Sequence, residues 1–163
     1  MPGELDRVPM TVLKLCCENV IETGNMHLVD SHSLLEQAQA LGISQGQLYA
    51  ALGELHQRAY IKPYTLNRRN IRHFAVTFDC FQTYGKAYIQ NYDEMIQAVA
   101  YWVVNDTGAD VRSIATDLNQ PPVVVEHFLE VLEGMALIKL DRPPTGLVVT
   151  YVSAHLKHAM GET

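Results

Sequence analysis

Seven histidines and three cysteines are the residues in this chain best able to hold a metal or attack a substrate. His155 and His158 stand three apart, so on a helix they would share one face. Two ligands do not make a site, and Cys16, Cys17 and Cys80 lack the paired spacing of zinc motifs, so no metal is expected. An odd cysteine count with two adjacent members also argues against a disulfide framework. Cys16 and Cys17 read as small apolar residues on a helix. His27, His32, His56, His73 and His127 read as ordinary polar positions. There is no glycine-rich phosphate loop, no nucleophile elbow and no pair of carboxylates marked out by its surroundings. The expectation is therefore a protein that is not an enzyme and carries no cofactor. What remains is non-covalent chemistry: the amides of Gln45 and Gln47, the phenol of Tyr49, and the cations Lys62, Arg58, Arg68, Arg69 and Arg72.

The composition is that of an ordinary globular protein. The chain has 163 residues, of which 48% are apolar and 18% charged, and its formal net charge is -6. That length allows one domain or two small ones and can bury a sizeable core without staples. The longest apolar runs, such as Val99 to Val104, fall far short of the roughly 20 residues that span a bilayer, so no membrane partner is expected. The first residues lack a cationic segment followed by an apolar stretch, which points to a cytoplasmic address.

The elements that must position the polar residues are written twice. At an offset of 77, the segment from Ser33 to Lys62 aligns without a gap on Asp110 to Lys139. Ala38 falls on Ala115, Leu41 on Leu118, Leu48 on Val125, Leu52 on Leu129 and Leu55 on Leu132, and Ala59-Tyr60-Ile61-Lys62 falls on Ala136-Leu137-Ile138-Lys139. In the first copy Leu34, Ala38 and Leu41 recur at helical intervals, Gly42-Ile43-Ser44 interrupts, and Leu48, Leu52, Leu55 and Ala59 resume the stripe. Ser44 suits the cap of the second helix, Asp30 or Ser31 that of the first, and Asp110 does the same in the second copy. Another amphipathic helix precedes each pair, from Met10 to Thr23 and from Asp93 to Asn105. A hairpin follows each pair: Tyr60 to Leu66 with Ile71 to Phe78, and Leu137 to Leu140 with Leu147 to Val152. A last helix runs from about Ser153 to Met160. The expected class is mainly α with small β-hairpins (α+β), in two domains, 8–88 and 91–160.

Three helices and a two-stranded hairpin, given twice, resemble the winged-helix family of helix-turn-helix proteins over nearly the whole chain. The most specific stretch is Ala38-Gln39-Ala40-Leu41-Gly42-Ile43-Ser44-Gln45-Gly46-Gln47-Leu48-Tyr49-Ala50-Ala51-Leu52-Gly53-Glu54-Leu55, followed by Ala59-Tyr60-Ile61, which is similar to the helix-turn-recognition-helix-strand pattern of bacterial regulators. The resemblance implies tandem winged-helix domains in which the third helix enters a major groove and the wing touches the backbone. On that reading Ser44, Gln45, Gln47 and Tyr49 face base edges, glutamine pairing with adenine, and Lys62, Arg68, Arg69 and Arg72 hold phosphates of double-stranded DNA. In the second copy Asn119-Gln120-Pro121-Pro122 replaces the glycine-containing turn.

The charge divides unevenly. Residues 1–90 carry eight basic and eight acidic side chains, whereas residues 91–163 carry four basic and ten acidic ones, so the whole net charge of -6 lies in the second copy. Its third helix bears Glu126, Glu130 and Glu133, which repel phosphate. Its first helix is apolar on more than one face, so Met95, Val99, Trp102 and Val103 are expected at a homodimer or protein-partner interface, or at the contact between the two copies. Two functions follow as expectations. One is a sequence-dependent DNA-binding transcriptional regulator that reads DNA with its first domain. The other is a tandem winged-helix protein-interaction module, as in subunits of chromosome-condensation complexes.

Overall fold

A computed structural model describes residues 5–64, 71–106, 110–144 and 146–161. The chain divides into two units, Met1–Tyr88 and Ile89–Thr163. Both are mainly helical with small antiparallel sheets, an α+β class.

In the first unit, apolar residues at Val12, Leu13, Cys16, Cys17 and Val20 repeat at i, i+1, i+4 and are fully buried, so helix α1 (Arg7–Thr23) turns one stripe inward. Gly24 ends it in the left-handed region, at φ 73°, with its N–H bonded to the Val20 carbonyl at 2.7 Å. A two-residue strand β1 (Val29–Asp30) leads into α2 (Ser31–Ala40), and Asp30 caps that helix by accepting from the His32 N–H. Helix α3 (Gln45–Gln57) packs on α1 and buries Leu48, Ala51, Leu52 and Leu55. Strands β2 (Ile61–Pro63) and β3 (His73–Val76) complete an antiparallel sheet of order β1-β3-β2. Pro63 sits on an edge strand, where its missing N–H leaves the ladder intact.

Two stripe residues expected in the core lie outside it. Leu41 is 56% exposed, because α2 stops at Ala40 and Gly42, at φ 82°, reverses the chain. Ile43 is buried in its place, its N–H bonded to the Ala38 carbonyl at 2.9 Å. Ala59 is exposed as well, since α3 has ended two residues earlier and Ala59 takes φ 61°.

The hairpin strands are shorter than expected, and the segment near Phe78 belongs to a further helix, α4 (Phe78–Tyr88). The Thr77 hydroxyl accepts from the Cys80 N–H at the start of that helix. Cys80, Phe81 and Tyr84 then bury a helical stripe against α1. Cys16 and Cys17 are core residues, as read, and the Cys17 and Cys80 sulfurs lie 3.8 Å apart. Burial pushes the Cys16 and Cys17 thiols well above their ordinary pKa, which keeps them protonated and inert.

The second unit repeats the plan. Helix α5 (Tyr92–Asn105) is followed by α6 (Val111–Leu118), α7 (Pro122–Gly134), the hairpin β4 (Ile138–Asp141) with β5 (Val148–Val152), and the short α8 (Ala154–Ala159). The sheet is antiparallel with an irregularity between Lys139 and Leu140. Asp110 caps α6 through the Ser113 N–H at 2.8 Å. That bond holds its carboxyl below the usual range. Asp110 also bridges to Val148 in the returning strand, as Asp30 pairs with His73 in the first unit. Asn119, at φ 52°, does the work of Gly42, and the Gln120 N–H bonds to the Ala115 carbonyl as Ile43 does to Ala38. Asparagine tolerates the left-handed region, so the turn survives without glycine. Val99, Val103, Ile114, Val125, Phe128, Leu129 and Leu132 fill the core. His127, expected as an ordinary polar position, lies in it too at 1% exposure.

Candidate interaction surfaces

Helix α3 begins with a reciprocal cap. The Ser44 hydroxyl accepts from the Gln47 N–H at 3.2 Å, and the Gln47 amide oxygen accepts from the Ser44 N–H at 2.9 Å. Ser44 and Gln47 are thus bonded to each other, and a bidentate contact from Gln47 to adenine would require its amide oxygen to leave the cap. Gln45 is exposed and Tyr49 half-buried on the flank of the helix. The face opposite the buried leucines carries Gly46, Ala50, Gly53 and Gln57. A methyl group added at Gly46 or Gly53 would meet nothing within 4 Å, so this face is open. At its far edge, Glu54 and Arg58 pair at 3.5 Å.

The sheet of the first unit has one buried and one outward face. Val29, Phe74, Val76 and Ile61 point inward. By alternation, Leu28, Asp30, His73, Ala75, Lys62 and Tyr64 form the outer face, with Lys62 opposite Ala75 and Asp30 opposite His73. Asp30 gathers two cations there, Arg72 at 3.5 Å and His73 at 3.7 Å. Lys62 is exposed. Tyr64 is anchored at both ends, because its N–H bonds to the His73 carbonyl and its hydroxyl donates to the His27 carbonyl beyond β3. Its ring nevertheless stays 60% exposed. Arg68 and Arg69 lie outside the described residues, so of the expected arginine cluster only Arg72 is placed.

In the second unit Val99 and Val103 are 0% and 1% exposed within the single chain. Helix α5 packs on α6, α7, α8 and β5 of its own unit, so these two valines serve the interior, and their expected place at an interface is corrected. Met95 and Trp102 are half-buried, and the Trp102 indole N–H donates to Asp117 of α6 at 2.7 Å. The extra apolar stripe of α5 is largely used at home.

Helix α7 buries most of its circumference, leaving Glu126, Glu130 and Glu133 on a half-buried side. Glu133 is more than a surface charge. One of its oxygens accepts from Arg142 at 2.7 Å and the other from the Leu140 backbone N–H at 3.0 Å. Those bonds, led by Arg142, draw its carboxyl below the usual range. His127 bonds through Nε2 to the Tyr92 hydroxyl at 2.7 Å, and burial pushes its pKa down to about 4. His155 and His158 are exposed on α8. Among the described residues no three His, Cys, Asp or Glu side chains converge on a metal position, and no helix is long and apolar enough to cross a membrane.

The outer sheet face was absent from the sequence reading. Its signal was present in the alternation of His73, Phe74, Ala75 and Val76, which sets one side of β3 outward. The partner strand β1 is only two residues long and leaves no periodic trace.

No family model matches the chain, and no curated protein matches it. A solved structure described as "Structure of the ESCRT-II endosomal trafficking complex" contains a chain that aligns over 93% of this chain and 98% of its own length, at 11% identity and a TM-score of 0.29. A likeness that loose carries no argument. The class of the protein therefore rests on its own geometry, two helical units that each run through three helices, an antiparallel hairpin and a further helix.

Proposed function

We propose that both units are winged-helix domains and that the chain is a non-enzymatic tandem winged-helix module that binds protein partners. The order of elements supports the fold: three helices, a hairpin, and a β1 or Asp110 bridge tying the start of the second helix to the returning strand. One observation carries the function. The outward face of α3 centres on Gly46, Ala50 and Gly53, and the polar pair at its start, Ser44 and Gln47, is spent on the helix cap. Gly46 and Gly53 offer no hydrogen-bonding side chain to a base edge and Ala50 at most a methyl contact to thymine, whereas so small a face lets another protein approach closely. The third helix of the second unit offers glutamates, which repel phosphate.

The test is purification of the full chain from its native cells after cross-linking, with Ala50→Arg as the control. A stoichiometric protein partner is expected with the unchanged chain and is expected to be lost from the variant. Recovery of nucleic acid alone would overturn the reading.

A specific observation favours a second reading, DNA binding through the first unit. Arg68, Arg69 and Arg72 fall within five residues of one another in the sequence, and Gln45 and Tyr49 remain on the α3 flank, with Lys62, as candidate contacts. In that case the protein is a cytoplasmic regulator, and Met95 and Trp102 are what remains of a surface for a homodimer.

A further inference from the structure

The sequence around the β2 and β3 strands of the first unit concentrates positive charge in an acidic protein. From residue 55 to 78 the sequence holds Arg58, Lys62, Arg68, Arg69 and Arg72 and no Asp or Glu at all. The sheet that these strands build with β1 presents an outer face on which Leu28 is 51% and Tyr64 60% exposed. Tyr64 is not a loose surface side chain. Leu28 directly precedes β1, and Tyr64 is held by its hydroxyl bond to His27 and its backbone bond to His73. An aromatic ring already fixed in an exposed position loses little freedom when something covers it. Among the described residues the carboxylate on the face, Asp30, is already matched by Arg72, His73 and the N-terminus of α2. Lys62 is an exposed cation two residues before Tyr64, across Ala75 of β3 from the Leu28 side of the sheet.

Resting on the protein-binding reading above, we infer that this outer sheet face docks an acidic segment of a partner protein, one that alternates Asp or Glu with large apolar residues. Charge complementarity supplies the first requirement, since a span without acids meets acids. The alternation follows from the pleat: residues of an extended segment laid across a sheet face return to the same side every second position. Its carboxylates would meet Lys62 while its apolar side chains cover Leu28 and Tyr64. A phosphate backbone would satisfy Lys62 and leave Leu28 and Tyr64 bare, which is why a peptide fits this face better than a duplex.

The experiment pans a phage-displayed library of random dodecapeptides on the full chain, then measures the best synthetic peptide by fluorescence polarisation. The unchanged chain is compared with Lys62→Glu, Leu28→Ser and Ala50→Arg, each checked for folding by circular dichroism. A 20-base-pair duplex is measured beside them at the same salt. Enrichment of acidic, apolar-alternating peptides is expected. Their binding should weaken at least tenfold in Lys62→Glu and in Leu28→Ser, weaken with salt, and be unchanged in Ala50→Arg. Enrichment of basic or uncharged peptides, affinity in the two sheet variants unchanged from that of the unchanged chain, or duplex binding abolished by those variants without any acidic peptide enriched would overturn the inference. If peptides bind and only Ala50→Arg abolishes them, the sheet face is eliminated while the protein-binding reading stands.

Discussion

Ala59 and Ala136 stand 77 residues apart and adopt the same left-handed backbone, at φ 61° and 60°. Each ends the third helix of its unit in the same way. The Ala59 N–H bonds to the His56 carbonyl and the next N–H, of Tyr60, to Leu55; the Ala136 N–H bonds to Glu133 and that of Leu137 to Leu132. This is the reversal that glycine usually makes, because an alanine Cβ crowds its own backbone there. The chain thus repeats a mildly strained backbone state at matching positions.

Relief of that strain is measurable. Ala59→Gly and Ala136→Gly are each expected to stabilise the protein by about 0.5 to 1 kcal/mol, the gain at a left-handed position exceeding the added freedom of the unfolded chain. Valine at either position is expected to destabilise by at least as much. Urea unfolding of the four variants checks both signs.

The Ser44 and Gln47 pair makes a different prediction. Ser44→Ala is expected to cost about 1 kcal/mol of stability through loss of the cap. Gln47→Ala removes the return bond to the Ser44 N–H and is expected to cost less. In neither variant should any preference among DNA sequences change, which separates a capping role from base reading. Unfolding curves and duplex binding on the same samples give both readouts.

His127 sets a pH window for the second unit. Its folded pKa, about 4, lies below the ordinary value of 6.5, so the unfolded chain takes up the proton more readily. The stability it contributes is complete above about pH 6.5 and is lost as pH falls from there toward 4, by roughly 3 kcal/mol at most. His127→Gln can keep a hydrogen bond to Tyr92 and cannot titrate in this range. The stability difference between the two proteins should therefore change with pH between 6.5 and 4 and be constant above it. A difference independent of pH across that interval would contradict the assignment.

Much of the fold was legible because its repeat is carried by residues with one structural use. Leu48, Leu52 and Leu55 mark the buried side of α3, and Ser44, Asp30 and Asp110 mark helix starts. The errors fell where a chain reversal changes the phase of a stripe. Leu41 continues the helical spacing of Leu34 and Ala38, yet α2 stops one residue earlier and Ile43 turns inward instead. Phe78 looked like the end of a strand and begins α4, because Thr77 caps a helix there. The candidate surfaces were less legible than the core. Composition alone does not reveal that Gln47 closes back on Ser44, that Trp102 bonds to Asp117, or that Val103 is consumed by its own unit. Each depends on a partner brought close by the backbone, and a polar or apolar side chain reads the same in sequence whether that partner is water, its own chain or another molecule.

The most direct measurement is selection of the full chain against a pool of randomised 30-base-pair duplexes at moderate salt. The expected result is no enriched sequence, with residual binding that falls as salt rises and is indifferent to Gln45→Ala and Tyr49→Ala. An enriched motif, bound tightly by the unchanged chain and lost in Gln45→Ala or Tyr49→Ala, would contradict the protein-binding reading and make α3 a reader of DNA.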